Sequence, residues 1–207
     1  MENNDWAVEN LQTIRTLMER STLYRRALAP IMLLAGIIGV IAAAIGVHFR
    51  MNTVGGFTVF WLVTAMVVTA GAFFIARKQA LRDNEPLWSP PTTRVARALA
   101  PSLTAGLLVG ILFGLGSKAR LINFIVLLPF LWAFFYGCAL HAAGFFIQRG
   151  VRWFGWVYII AASIGLFYVM LVSPHFDVNG HWLMGIFFGG LHLVYGGYLY
   201  VTEKRTP

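Results

Sequence analysis

Six stretches of this chain run for 18 residues or more without an Asp, Glu, Lys or Arg: 29–48, 57–76, 99–116, 124–147, 153–172 and 182–201. A helix rises about 1.5 Å per residue, so each stretch is long enough to cross about 30 Å of hydrocarbon. No water is available there, and every backbone N–H and C=O must find its partner inside the protein. Open strands cannot meet that demand. The chain is therefore expected to be all-α: a polytopic membrane protein with six transmembrane helices. The spans form one domain over residues 29–203, preceded by a distinct segment over 1–28.

Composition agrees. Of 207 residues, 58% are hydrophobic and 12% charged, against about 45–50% and about 25% in an average soluble domain. The net charge of +8 raises the question of nucleic acid. The position of the charges answers it, because no Lys or Arg lies well inside an apolar run. Basic residues number four in the N-terminal segment, five in the second loop, two in the fourth loop and two in the tail. The first, third and fifth loops hold one, two and none. That asymmetry predicts cytoplasmic termini and excludes nucleic acid as the partner of the positive charge. Trp153, Trp156, Tyr198 and Tyr200 fit an inner aromatic belt, and Trp61 and Trp182 an outer one. The single cysteine, Cys138, lies within a span, so no intrachain disulfide can form.

Within residues 5–28, Trp6, Leu11, Ile14, Leu17, Met18 and Ser21 recur at spacings of three and four. Glu9, Gln12, Arg15, Thr16, Glu19 and Arg20 fill the opposite side. This predicts an amphipathic helix lying in the headgroup layer. Packing under the bundle and contact with a partner are its two uses. No signal peptide is expected, since mostly polar sequence precedes the first run. The polar-to-apolar junction recurs. Ser21-Thr22-Leu23-Tyr24-Arg25-Arg26-Ala27-Leu28-Ala29-Pro30 leads into the first run, and Thr92-Thr93-Arg94-Val95-Ala96-Arg97-Ala98-Leu99-Ala100-Pro101 into the third. Each proline is expected where a helix begins. Between them, residues 84–91 read as a turn followed by extended polyproline-like chain.

Small residues four apart mark helix contacts in lipid, where close backbone approach drives association. Gly106, Gly110 and Gly114 form such a row in the third span, and Gly185 and Gly189, continuing to Gly196, another in the sixth. Ala35, Gly39 and Ala43 form a third in the first span. Packing within the bundle is the expected use, with a homodimer through the third span as the alternative.

No charged side chain lies deep in a span, which argues against ion-coupled transport and intramembrane carboxylate chemistry. No serine has the context of a hydrolase nucleophile. Two histidines are intramembrane, His141 and His192, each on a small-residue face of its helix. They are candidates for axial haem ligation, or for a quinone headgroup held by histidine and tyrosine. The competing reading is a pair of structural histidines or a small polar pocket. His175, Asp177 and His181 lie within seven residues and suit zinc or copper, although Asp177-Val178-Asn179-Gly180 is also ordinary turn chemistry.

Leu11-Gln12-Thr13-Ile14-Arg15-Thr16-Leu17-Met18-Glu19-Arg20-Ser21 resembles the opening of an uncharacterised family of small bacterial multi-span inner-membrane proteins. The resemblance covers about twenty residues. It implies a bacterial inner membrane and carries over no activity or functional residue. The chain is thus expected to be a non-enzymatic accessory, sensing or scaffold-like membrane component, with the lipid bilayer and a membrane protein or second copy as partners. A redox protein using His141 and His192 and a facilitator of a small neutral solute are the alternatives. Reporter fusions at Asn52 and Asn179 are expected to read external, and a cytoplasmic signal at either would break the six-span map.

Overall fold

Each apolar run forms a helix. The computed structural model describes residues 27–84, 86–115, 124–147, 149–172 and 178–203. The amphipathic segment expected over 1–28 lies outside the described residues apart from its last two. The helices are α1 (Ala27–His48), α2 (Val54–Arg82), α3 (Pro90–Leu115), α4 (Phe124–Ala143) and α5 (Arg149–Phe167), the last continued by a π-helical turn, Tyr168–Val172. The sixth helix, α6, comprises Gly180–Met184, a π-helical stretch Gly185–Gly190, and Leu191–Glu203. No strand occurs among the described residues. Among the described residues, six helices are long and apolar enough to cross a membrane.

Three boundaries differ from the sequence expectation. The polyproline strip is absent: Pro90 and Pro91 open α3. A proline lacks an N–H, and the first turn of a helix has no internal acceptor for one, so prolines suit this position. Thr93 N–H bonds to Ser89 O at 3.0 Å, closing the turn. Consequently Pro101 lies inside α3 rather than at its start, while Pro30 lies in the first turn of the described part of α1. The two Ala-Leu-Ala-Pro segments therefore play different structural parts. Finally, α4 ends at Ala143, four residues before its apolar run does, and tight turns carry the chain through Gly144 to Phe146.

Short connections make neighbours antiparallel. In the α1–α2 turn Arg50 takes a left-handed conformation with φ 50°, and Thr53 caps α2 by accepting from Gly56 N–H at 3.2 Å. Helix α4 is central. Half of its spanning part is buried, against 6% for α2 and 11% for α3. The α2–α3 hairpin thus stands at the side, exposing Val59, Met66, Phe74, Leu108 and Leu112, side chains suited to acyl chains. One apolar core joins Leu28, Met32, Phe130, Phe154, Tyr158, Phe187 and Tyr195; another joins Ala43, Phe57, Trp61, Leu128 and Met184.

Glycines set the closest approaches. A Cβ on Gly39 of α1 would strike the Phe188 carbonyl of α6, and one on Gly189 would lie 2.9 Å from Val40 N. On α4 and α5, a Cβ on Gly155 would lie 2.6 Å from His141 N, and one on Gly137 would lie 2.8 Å from Gly155 O. The row on α3 divides. Gly106 and Gly110 receive Trp132 of α4, whose indole N–H donates to Gly106 O at 2.9 Å, whereas Gly114 faces Thr58 of α2. An aromatic side chain, rather than a neighbouring backbone, fills the groove on Gly106 and Gly110. Gly185 lies against Ala43.

Gly39→Leu inserts a side chain where two backbones meet and should destabilise by about 1–3 kcal/mol. Gly197→Ala meets nothing within 4 Å and should be neutral or stabilising by up to about 1 kcal/mol, from helix propensity. Thermal unfolding of the two purified variants checks the contrast; equal effects would mean the α1–α6 contact is loose.

Candidate functional site

The polar residues of the interior fall into separate groups, and the best defined centres on His192. This residue is 2% exposed. It sits in α6 just after the π-helical stretch, where Leu191 N–H bonds back to Ile186 O, five residues away. A π-turn widens the helix locally and displaces the carbonyl ladder, and such turns recur at functional sites. Here Tyr158 of α5 donates its hydroxyl hydrogen to Phe187 O.

That one bond sets the direction of a chain. A phenol has a single hydrogen, so toward His192 the Tyr158 oxygen accepts, and Nδ1–H of the imidazole donates to it across 3.0 Å. In the neutral ring Nε2 is then the acceptor, and the Tyr136 hydroxyl of α4 donates to it at 2.7 Å. Tyr136, His192, Tyr158 and the Phe187 carbonyl form one directional relay joining α4, α5 and α6. Aromatic rings enclose it. Phe188 stacks on the imidazole at 6.2 Å with 24° between planes, and Phe154 meets it edge-on at 5.8 Å.

His181 forms a second centre at the other end of α6. It is fully buried. Trp61 Nε1–H can only donate, so His181 Nδ1 accepts from it, at 3.1 Å. Nε2–H then donates to Met51 O at 3.2 Å. The left-handed Arg50 turn supplies that carbonyl, Gly46 leaves room for the imidazole, and Phe57 and Phe60 pack on it. Asn179 accepts from His181 backbone N–H at 2.9 Å, capping α6. His175 and Asp177, the other members of the predicted metal group, lie outside the described residues. In this arrangement neither ring nitrogen of His181 offers a free lone pair to a metal.

His141 lies elsewhere. Helices α4 and α6 run parallel: Ile125 is level with Gly180, and Tyr136 with His192. His141 is thus five residues beyond His192's level, about 7–8 Å along the axis. It packs on α5, with Phe145 and Trp156 edge-on at 5.3 Å each, and its Nδ1 is buried without a hydrogen-bond partner. Cys138, one turn earlier, is partly buried. The structure does not bring His141 and His192 to one site: they lie more than a helical turn apart in height, and His192 spends both ring nitrogens on tyrosines.

Sequence reasoning found the two intramembrane histidines but not Tyr136 or Tyr158, and it placed Trp61 in an outer aromatic belt, whereas Trp61 is 3% exposed and bonded to His181. One signal was present. Tyr136 and Tyr158 sit inside apolar runs, away from the interfacial positions that tyrosine favours, and a buried hydroxyl requires a partner. In comparisons with known proteins, the chain matches no family model, no curated sequence and no solved structure.

Tyr158→Phe removes the donor to Phe187 O and the acceptor for His192 Nδ1–H together, so it should destabilise by about 1–3 kcal/mol. Tyr136→Phe removes only the donor to Nε2 and should cost less, about 1 kcal/mol. Thermal unfolding in one detergent measures both; the reverse order would contradict the deduced direction of the relay.

Proposed function

We propose that this is a non-enzymatic integral protein of the bacterial inner membrane, acting as an accessory, sensing or scaffold-like component with both termini cytoplasmic. The observation that carries the reading is how the two fully buried histidines, His192 and His181, are spent. The ring nitrogens of His192 and His181 all bond to the protein itself, to Tyr136 and Tyr158 in one case and to Trp61 and Met51 O in the other. A catalytic base or an axial haem ligand needs a nitrogen lone pair facing substrate or iron. These histidines instead tie helices together, which suits a rigid framework more than a reaction centre.

Charge supports the orientation. The ends of the helices that meet the second and fourth loops carry Arg77, Lys78, Arg82, Arg94, Arg97, Arg149 and Arg152, whereas the α1–α2 turn carries Arg50 alone. The bacterial membrane rests on the resemblance of residues 11–21. For a partner contact, the α2–α3 connection offers Trp88, 66% exposed, and the last turn of α2 offers exposed Leu81. Two large apolar side chains outside the apolar runs suit a protein surface.

Two experiments bear on this. Freshly purified protein is expected to show no Soret band; a band abolished by His141→Ala or His192→Ala would replace this reading with haem-based redox chemistry. A photo-crosslinking residue at Trp88 is expected to yield one discrete adduct with a membrane protein, or with a second copy of this chain. Lipid adducts alone would remove the support for a partner at this loop.

A further inference from the structure

The end of the α2–α3 hairpin and the first residues of the chain carry opposite charge. Residues 77–97 hold five basic and two acidic residues, five minus two giving +3. Residues 1–14 hold Glu2, Asp5 and Glu9 and no Lys or Arg, giving −3. Helix packing brings that hairpin end beside the start of α1. Leu34 of α1 lies against Gly71 of α2, where a Cβ would be 2.6 Å from Leu34 Cδ2. The helices are antiparallel, so Ala27, seven residues earlier on α1, is level with Lys78, seven later on α2. Gly71, Lys78 and Arg82 recur at i, i+7 and i+11 and share one face of α2. The chain that precedes Ala27 therefore enters beside Lys78 and Arg82, one interhelical spacing of about 8–10 Å away. On the far side of α2, Thr58 faces Gly114 of α3, and the same count sets Arg94 level with Lys78. Arg77, Lys78, Arg82, Arg94 and Arg97 are all exposed. Asp83 turns to Gln79, whose Nε2 donates to it at 2.9 Å. No ion pair to the five basic side chains occurs among the described residues.

Lipid is the other surface open to residues 1–14, and its charge has the wrong sign for them. Amphipathic segments held on anionic bilayers carry Lys and Arg on the polar face. Residues 15–26 do, with four Arg and one Glu, whereas residues 1–14 do not. We propose that the acidic residues 1–14 dock on the basic end of the α2–α3 hairpin of the same chain. The reach is sufficient. Gly71 and Thr58 point about 140° apart around α2 at about 100° per residue, so α1 and α3 stand roughly 17 Å apart across it. The twelve residues 15–26 span about 18 Å even as a helix, which brings all five basic side chains within range. The dock braces the hairpin, whose helices are the least buried of the bundle, against the start of α1. Both partners lie at one end of the bundle, so the proposal does not depend on which side of the membrane that end faces.

The test is carbodiimide cross-linking of the full-length protein in nanodiscs, read by mass spectrometry of the peptides. The reagent joins a carboxylate to an adjacent amine, and the chain has only three lysines, Lys78, Lys118 and Lys204. Glu2, Asp5 or Glu9 should link to Lys78, or to the amine introduced by Arg82→Lys or Arg94→Lys, which keep the charge of exposed positions. Arg152→Lys on α5 should give no such link. The yield should fall severalfold in 1 M salt, where the screening length drops to about 3 Å. It should persist when phosphatidylglycerol replaces phosphatidylcholine. The proposal fails if residues 1–14 link to none of the three positions, or link as well to Lys204 or through Arg152→Lys. A link from Glu19 alone also overturns it. With light and heavy isotope-labelled protein mixed, links found only between copies would assign the contact to a dimer and overturn docking within one chain. Loss of the links in phosphatidylglycerol would give the basic end to lipid, and a yield indifferent to salt would remove its electrostatic basis; either result overturns the proposal. Lys78 requires no substitution, so the parent protein decides if a variant fails to fold.

Discussion

In hydrocarbon a polar side chain can bond only to protein, and the interior of this bundle is arranged around that constraint. His192 cannot turn toward water, so its two nitrogens take partners from different helices, Tyr136 of α4 and Tyr158 of α5. The last donor in the relay, Tyr158 O–H, needs an acceptor, and the π-helical stretch of α6 presents Phe187 O. Each bond thereby carries a packing consequence: three helices are held at one level. His181 repeats the logic nearer the start of α6, linking it to α2 through Trp61 and to the α1–α2 turn through Met51 O. Trp132 does so between α4 and α3 through Gly106 O.

Such bonds require short interhelical distances, which the small residues provide. Gly39 and Gly189 let α1 and α6 meet at backbone contact, and Gly137 and Gly155 do the same for α4 and α5. With α6 drawn against α1 and α5 against α4, the face of α6 bearing His192 lies within reach of both tyrosines. Dispersion between close backbones and a few oriented hydrogen bonds thus cooperate. Neither suffices alone, since interhelical hydrogen bonds in membranes average only about 0.6 kcal/mol.

The helices were legible in the sequence because their cause is one-dimensional: a run without charge must cross or be buried. The small-residue rows were legible as rows, but their occupants were not. Nothing in Gly106 and Gly110 says that an indole would fill the groove, since Trp132 is 22 residues further on and reaches it only through the α3–α4 register. Likewise His192 was recognisable as a buried imidazole, whereas its partners depend on the relative heights of three helices and on a π-turn with no sharp sequence signature. The proline-rich stretch misled for a local reason. Ser89-Pro90-Pro91 suits both an extended strip and a helix start, and only the long apolar continuation of α3 decides between them.

The exceptions to the constraint are as informative as the cases that obey it. Thr58, His141 and Tyr195 each carry a buried polar atom with no partner. Thr58 has an ordinary remedy, since a helical threonine can turn its hydroxyl toward the carbonyl of the preceding turn. His141 is half-buried, packed edge-on against Phe145 and Trp156. Tyr195 has no remedy of its own. Its ring is clamped against Phe154, and its hydroxyl is held over Gly150, where α5 has amide donors but no side chain to accept. The same chain that closes its hydrogen bonds through His192 therefore leaves one hydroxyl unsatisfied a single turn further along α6.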